Sequence, residues 1–419
     1  MNATQTTLLK TLETLLPADQ ICPWDTIAPP LQSQITCAIA PTAASPVAIA
    51  YPQSIEELGQ ILACAARDRW RVLLCGSGSK LHWGGFASGI ELVISTARMN
   101  RLIEHAVGDL TVTAEAGMPL ADLQSTLATA GQFLPIDPAY GDRATLGGIV
   151  ATSDTGSLRQ RYGGIRDLLI GLSLVRADGQ IAKAGGRVVK NVAGYDLMKL
   201  FTGSYGTLGA IAQVTLRIYP FPAASRTVLL TGEAEPLAQA QATLLASALT
   251  PTAIEILPPP TLVTLGMAPS FGLLSRFQNL EVSVEQQANQ LLQVGQALGL
   301  QGQRFVDAAL PEKAIATLTP ILQQVPTLTT GWIHAGSGLG MLRMTEASVS
   351  TLLQLRQLCQ FQGGFLTVLE APTNIKQSFT TQTLDLWGYP GNALDVMKAI
   401  KQQFDPTGLL SPQRFVGGI

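Results

Sequence analysis

Three glycine loops between Gly76 and Gly209 constrain this 419-residue chain more than any other feature. The first, Gly76-Ser77-Gly78-Ser79-Lys80, follows directly on the apolar run Arg71-Val72-Leu73-Leu74-Cys75, which reads as a short buried strand. A helix precedes that strand: Ser54 and Glu57 form a capping-box pair, and Leu58, Ile61, Leu62, Ala65 and Ala66 recur at helical spacing up to Trp70. The second loop runs Ala144-Thr145-Leu146-Gly147-Gly148-Ile149-Val150-Ala151-Thr152, and the third is Gly203-Ser204-Tyr205-Gly206-Thr207-Leu208-Gly209. Without a Cβ, glycine lets backbone N–H groups converge on a phosphate, and serine or threonine hydroxyls add hydrogen bonds. The spacing fits neither a Walker loop nor the G-x-G-x-x-G dinucleotide fingerprint, which sets a Rossmann fold aside. Either a large phosphorylated ligand is wrapped by all three loops, or this is an unusually turn-rich lobe; the number of loops favours the ligand.

The rest of the chain falls into segments of different texture. Residues 1–45 read as an N-terminal leader with one short helical stretch. Residues 46–222 hold the glycine loops, with strands expected at Glu91–Ser95, Thr111–Ala116, Leu169–Arg176 and Ala210–Tyr219. A helix opened by Pro119 carries Leu120, Leu123 and Leu127 on one face. After Tyr219-Pro220-Phe221-Pro222 the pattern changes, and residues 223–385 alternate helices and strands as a second α+β lobe. Residues 386–419 hold one helix, capped by Asn392, and the turn Asp405-Pro406-Thr407-Gly408.

Charge and composition remove several classes of function. Lys and Arg total 27 against 29 for Asp and Glu, with no long block of one sign, so an electrostatic footprint for nucleic acid is missing. No run of about 18 clean apolar residues reads as a membrane span. The N-terminal residues lack the pattern of a secretory signal, which points to a cytoplasmic protein. Cys22, Cys37, Cys64, Cys75 and Cys359 form no C-x-x-C pair, and His82, His105 and His334 are scattered, so neither an iron–sulfur nor a metal site is expected in this chain. Only 13% of residues are charged; such a thinly charged surface suits a subunit buried against a partner.

The order of these motifs resembles the FAD domain of the vanillyl-alcohol-oxidase-type (PCMH-type) flavoproteins. The words that carry the resemblance are the S-x-E-E-L helix at Ser54, the first loop, Pro135-Ile136-Asp137-Pro138, the A-T-L-G-G of the second loop, Val189-Lys190-Asn191-Val192-Ala193-Gly194-Tyr195-Asp196-Leu197 and the third loop. The closing Phe404-Asp405-Pro406-Thr407-Gly408-Leu409-Leu410-Ser411-Pro412-Gln413-Arg414 is similar to that family's C-terminal return. Within the family, the wording after Val189 is most similar to the E subunits of glycolate dehydrogenase complexes. The resemblance implies an α+β fold: a two-lobed PCMH-type FAD-binding domain, then a smaller α+β cap, with the tail returning to the FAD domain. It also implies that Gly76, Ser77, Gly78, Ser79 and Lys80 bind the FAD pyrophosphate. Thr145, Gly147, Gly148 and Thr152 would line the pyrophosphate and flavin side, with Asp137 in the adjoining motif. Gly203, Gly206, Gly209 and the backbone of Ile211 would hold ribose and adenine. Relatives with covalent FAD place a histidine where Ser79 stands, so FAD is expected to be held non-covalently, with His82 the alternative anchor. Lys190 reads either as a cation near the flavin N1–C2 carbonyl or as a surface lysine. Tyr195 reads as a flavin contact or, better, as a core residue, and Arg414 as a ligand contact or a solvated arginine.

Catalysis is less legible. Oxidising a 2-hydroxy acid needs a carboxylate clamp, a base and a hydride acceptor. Stand-alone relatives carry H-x-G-D-G-N-x-H and a later glutamate–histidine pair. Here the comparable run is His334-Ala335-Gly336-Ser337-Gly338-Leu339-Gly340-Met341, and Glu370 is followed by Ala371. The catalytic candidates are therefore His334, Lys190 and Arg414, with His334 either a base or a structural residue. The resemblance then implies an FAD subunit of a glycolate (2-hydroxy acid) dehydrogenase complex, beside a larger homologous flavin subunit and an iron–sulfur subunit, and peripheral to the inner membrane face through them. The alternatives are a stand-alone dehydrogenase and a non-redox scaffold.

Overall fold

Val72–Cys75 forms the strand expected before the first glycine loop, at the edge of a four-stranded sheet ordered Ile21–Pro23, Ala48–Ala50, Leu92–Ser95, Val72–Cys75. In this computed structural model residues 3–187, 195–306, 330–346, 348–381 and 385–419 are described. Alternate side chains point to opposite faces of a strand, so the sheet builds two cores. Ala48, Val72, Leu92 and Ile94 pack against Leu58, Ile61 and Leu62 of the helix Ile55–Asp68. Ile49, Leu73 and Val93 face the other way, onto Ile27 and Ile35. Ser54 caps that helix, its hydroxyl accepting from Glu57 N at 3.1 Å, while the Glu57 carboxylate takes Gln53 N at 2.7 Å, one residue before the position a full capping box would use.

The first 45 residues hold more structure than their sequence pattern conveys. Leu8, Leu12 and Leu16 of the helix Ala3–Leu15 and its end join the first core, and Ile21–Pro23 pairs antiparallel with Ala48–Ala50. Strands as short as three residues leave almost no periodic signal.

A five-stranded antiparallel sheet follows, ordered Leu102–Ala106, Thr111–Glu115, Ala210–Arg217, Leu169–Val175, Ile181–Gly185. Its core, with Val112, Leu172, Val214 and Leu216, is closed by Leu123 and Leu127 of the helix Leu120–Ala128 and by Ile149 and Val150 of the short helix Leu146–Thr152.

The second lobe is a six-stranded antiparallel sheet: Gln301–Val306, Ala224–Gly232, Phe271–Asn279, Ala253–Leu257, Thr330–His334, Gly340–Arg343. One face packs Val228, Leu230, Leu273 and Phe277 against the helices Ala234–Ala246 and Glu281–Ala297. The other face carries Glu255 and His334 towards the first lobe, where Gly336 lies so close to Gln160 that a Cβ on it would collide.

The tail returns to the first sheet. Val72 N donates to Leu409 O at 2.8 Å, and Ser411 N donates to Val72 O at 2.8 Å. The helix before it spans Leu394–Phe404, and its N-cap is Ala393, not the expected Asn392. Ala393 N donates to the Tyr389 hydroxyl at 3.2 Å, and no side chain of the cap residue accepts from the first turn. Among the described residues no helix is long and apolar enough to cross a membrane.

Candidate functional site: a cofactor cradle between two lobes

The three glycine loops converge on one end of the first sheet. Loops one and two meet at Gly76, where a Cβ would collide with Thr145 Oγ1; Ser77 Oγ donates to Arg143 O at 2.7 Å and Ser95 Oγ to Gly76 O at 2.8 Å. Loop three docks on the second: Gly203 N donates to Val150 O and Tyr205 N to Ala151 O, both at 2.9 Å. It closes back on loop one at Gly206, where a Cβ would stand 3.3 Å from Leu74 Cβ and 3.5 Å from the tail's Ser411 Oγ. Gly78 sits at φ +81°, a backbone region that L side chains rarely enter.

The two adjacent glycines of loop two do different work. Gly147 N donates to Ala116 O at 2.8 Å, and a Cβ on Gly147 would lie 2.8 Å from Ala116 Cβ. Packing alone requires that glycine. A Cβ on Gly148 would meet only Thr145 Oγ1, at 3.1 Å, so its outer side is open. Thr145 Oγ1 accepts from Gly148 N at 3.3 Å and caps the helix Leu146–Thr152; Thr152 Oγ1 turns back to Gly148 O at 2.8 Å. Gly209 lies against Val175 O, and Ile211 is buried where its strand shifts register.

Several singled-out side chains lie elsewhere than expected. Lys80 is buried, its Nζ 2.7 Å from Asp154 Oδ2, which also accepts Ala139 N at 2.9 Å. Burial pulls the lysine's pKa down, and Asp154 opposes that. Lys80 thus ties loop one to the segment after loop two. Asp137 holds the segment that follows loop two: its Oδ1 accepts Leu158 N at 3.0 Å, and burial of the carboxyl pushes its pKa up to about 7. The residue as a whole is half-buried; the carboxyl itself is enclosed against Gly156 and Leu158. Ser79 is half-buried. Lys190 lies outside the described residues.

Arg414 is neither solvated nor on an open face. Its guanidinium is buried and donates to Ala38 O, Leu81 O and Trp83 O at 3.4, 3.1 and 2.9 Å, joining the tail to the segment after loop one. Tyr195, expected in the core, is 91% exposed; in the adjoining helix Leu197–Phe201 the buried positions are Met198 and Phe201. His334 Nδ1 lies 2.6 Å from Glu255 Oε1 across neighbouring strands, both residues buried. A lone glutamate inside Ala-Ile-Glu-Ile-Leu was the available signal for that partner, because a charge at an inward strand position needs one.

A further cluster opens beside loop one. His82 Nε2 lies 3.0 Å from the Tyr140 hydroxyl and 3.4 Å from Glu370 Oε2. Lys376 Nζ donates to His82 O at 2.5 Å, and Gly84 N donates to Leu369 O at 3.0 Å, which brings the Glu370 segment against the first lobe. Tyr140 holds φ +58°, its carbonyl accepting Arg143 N and Ala144 N at 3.0 and 2.7 Å. Burial raises its phenol to about 12, while the hydrogen bond with His82 lowers the Glu370 carboxyl. Among the described residues no group of His, Cys, Asp and Glu is placed to hold a metal.

The cradle fits FAD: the loops meet end to end, the open side of Gly148 leaves room for a ligand, and the cap at Thr145 is already made. Residues 46–185 match a family model described as FAD binding domain. The whole chain has the fold of the PCMH-type flavoproteins: p-cresol methylhydroxylase with substrate bound superposes with a TM-score of 0.71 over 99% of this chain and 97% of that one, at 13% identity. The chain is thus an FAD-binding oxidoreductase of PCMH-type fold, and Ser79 offers no histidine for covalent attachment. Two relatives narrow the class. Glycolate oxidase subunit GlcD of Bacillus subtilis (strain 168) is 26% identical over 88% of each chain. Glycolate oxidase subunit GlcE of Escherichia coli (strain K12) is 36% identical over 42% of this chain and 49% of that protein.

Proposed function

We propose that this chain is an FAD-dependent dehydrogenase of 2-hydroxy acids, working as a flavin subunit that hands its electrons to an iron–sulfur partner. It rests above all on the meeting of the FAD cradle with ionisable side chains from both lobes. The similarity to a glycolate oxidase subunit through 88% of the chain supports the same substrate class. Gly76 to Ser79, Thr145 and Gly148 hold the pyrophosphate and flavin side. The backbone of Gly203, Gly206, Gly209 and Ile211 holds ribose and adenine, while Lys80, Asp137 and Thr152 keep the loops in place. Bound FAD supplies a two-electron acceptor for a hydride from the substrate carbon. The chain supplies orientation, charge and a place for the hydroxyl proton. Partners bring the chain to the inner face of the membrane from the cytoplasm.

A second reading is a supporting subunit beside a larger, homologous flavin subunit that does the oxidation. It is favoured by Ser337, Leu339 and Met341, which stand where stand-alone enzymes carry Asp, Asn and a second His, and by the GlcE similarity. The visible spectrum of the FAD-loaded chain, followed after anaerobic addition of glycolate or D-lactate, separates the two. Bleaching of the flavin bands by the chain alone is the expected result. Bands that stay oxidised until partners are added would leave the supporting subunit.

A further inference from the structure

The second lobe lacks the histidine that follows the glutamate in stand-alone enzymes, since Glu370 is followed by Ala371. The fold brings another one to it. His82, from the segment after the first glycine loop, places Nε2 3.4 Å from Glu370 Oε2 and 3.0 Å from the Tyr140 hydroxyl. Tyr140 precedes the second glycine loop, so the pair bridges the entrances to two arms of the FAD cradle. The cluster reaches solvent: the His82 side chain is 22% exposed and that of Glu370 66%. Tyr140 pays for its place with a left-handed backbone, φ +58°, which a bulky residue holds only when its surroundings fix it.

We propose that Tyr140, His82 and Glu370 form a proton relay that deprotonates the hydroxyl of the 2-hydroxy acid, replacing the missing histidine motif of the second lobe. The assignment rests on the chain being a 2-hydroxy-acid dehydrogenase. The substrate hydroxyl gives its proton to the Tyr140 phenol oxygen while the phenol proton moves to the bare Nε2 of His82, the resting ring carrying its proton on Nδ1. The new Nε2–H lies beside Glu370 Oε2, whose carboxylate stabilises the imidazolium so formed. The substrate C–H bond breaks with both electrons leaving as hydride to the oxidised flavin. The C–O bond becomes a carbonyl, and the products are a 2-oxo acid and two-electron-reduced flavin. A quinone or iron–sulfur protein reoxidises it. A half-buried phenol with a raised pKa keeps its proton at neutral pH, so Tyr140 passes a proton on and does not store charge. The groups facing His82 are Tyr140 and Glu370, with Lys376 on its carbonyl and Arg143, Arg343 and Asp154 further out around Tyr140.

The test uses the FAD-loaded full chain and His82→Gln, Tyr140→Phe and Glu370→Gln. Flavin absorbance of each purified variant reports that the cradle is intact. Anaerobic reduction by glycolate or D-lactate is expected to slow at least ~100-fold in His82→Gln and Tyr140→Phe. A readout independent of turnover is the nitrogen-15 NMR shift of His82 Nε2, in one of only three imidazoles in the chain. Loss of the phenol in Tyr140→Phe and of the carboxylate in Glu370→Gln is each expected to move that resonance. A resonance unchanged in both variants overturns the relay. Variants with full flavin that are reduced at the wild-type rate also overturn it, while leaving the substrate class standing. A wild-type flavin that neither substrate reduces overturns the function and the relay together.

Discussion

Asp137 holds its proton to higher pH in the folded protein than in the unfolded chain, because burial raises it from an ordinary 3.8 to about 7. A folded pKa above the unfolded one contributes stability that is fully present below about 3.8 and is lost as pH rises through about 7. Urea midpoints measured at about pH 5 and about pH 8 should therefore show the wild type weaker at the higher pH. Asp137→Asn should shrink that difference, since the amide cannot ionise. Arg414 poses a different demand. Its guanidinium serves three backbone carbonyls, and removing a partner from buried acceptors costs about 1–3 kcal/mol for each group left bare. Arg414→Met, which keeps the length and loses the donors, is expected to lower stability by roughly 3 kcal/mol in chemical denaturation.

Neighbouring glycines in one element separate packing from ligand contact. Gly148→Val places its branch on the open side and is expected to abolish FAD absorbance while the far-ultraviolet circular dichroism stays that of the wild type. Gly147→Val drives a side chain into Ala116 and is expected to lower the melting temperature of the apoprotein as well. A Gly148→Val protein that keeps its flavin would remove loop two from the site. The elements of this lobe were legible in the sequence because their signals are local: a capped helix, an apolar strand and a glycine run lie within thirty or so residues of one another. Tyr140, His82 and Glu370 were not, since the first two are 58 positions apart and Glu370 comes from beyond the second lobe's sheet. No periodicity encodes a contact between residues so far separated. His334 stood out in the sequence, but its partner Glu255 emerged only from strand register. The leader's three-residue strand escaped for a related reason, as it depends on a partner strand further along the chain.

At the scale of the whole molecule, chain order and spatial order disagree. The first sheet, formed early in the sequence, is completed by residues from the end. Asp405 is buried and accepts Leu409 N and Leu410 N at 3.0 and 2.8 Å, while Lys401 Nζ lies 2.6 Å from it. That knot aims Leu409 and Ser411 at Val72. Deleting residues 405–419 exposes both backbone groups of Val72 and removes Arg414 and Ser411 from beside the cradle. The shortened chain is expected to lose FAD and to become sensitive to trypsin within the first lobe, a comparison that limited proteolysis makes directly. The return also sets a timetable for synthesis. Ser411 is made 337 positions after Leu74, so the nascent polypeptide cannot close the cradle on its cofactor until that late stretch has left the ribosome. A translation product cut short by premature termination would leave the ribosome unable to load flavin, and cellular proteases would clear it as an unfinished protein.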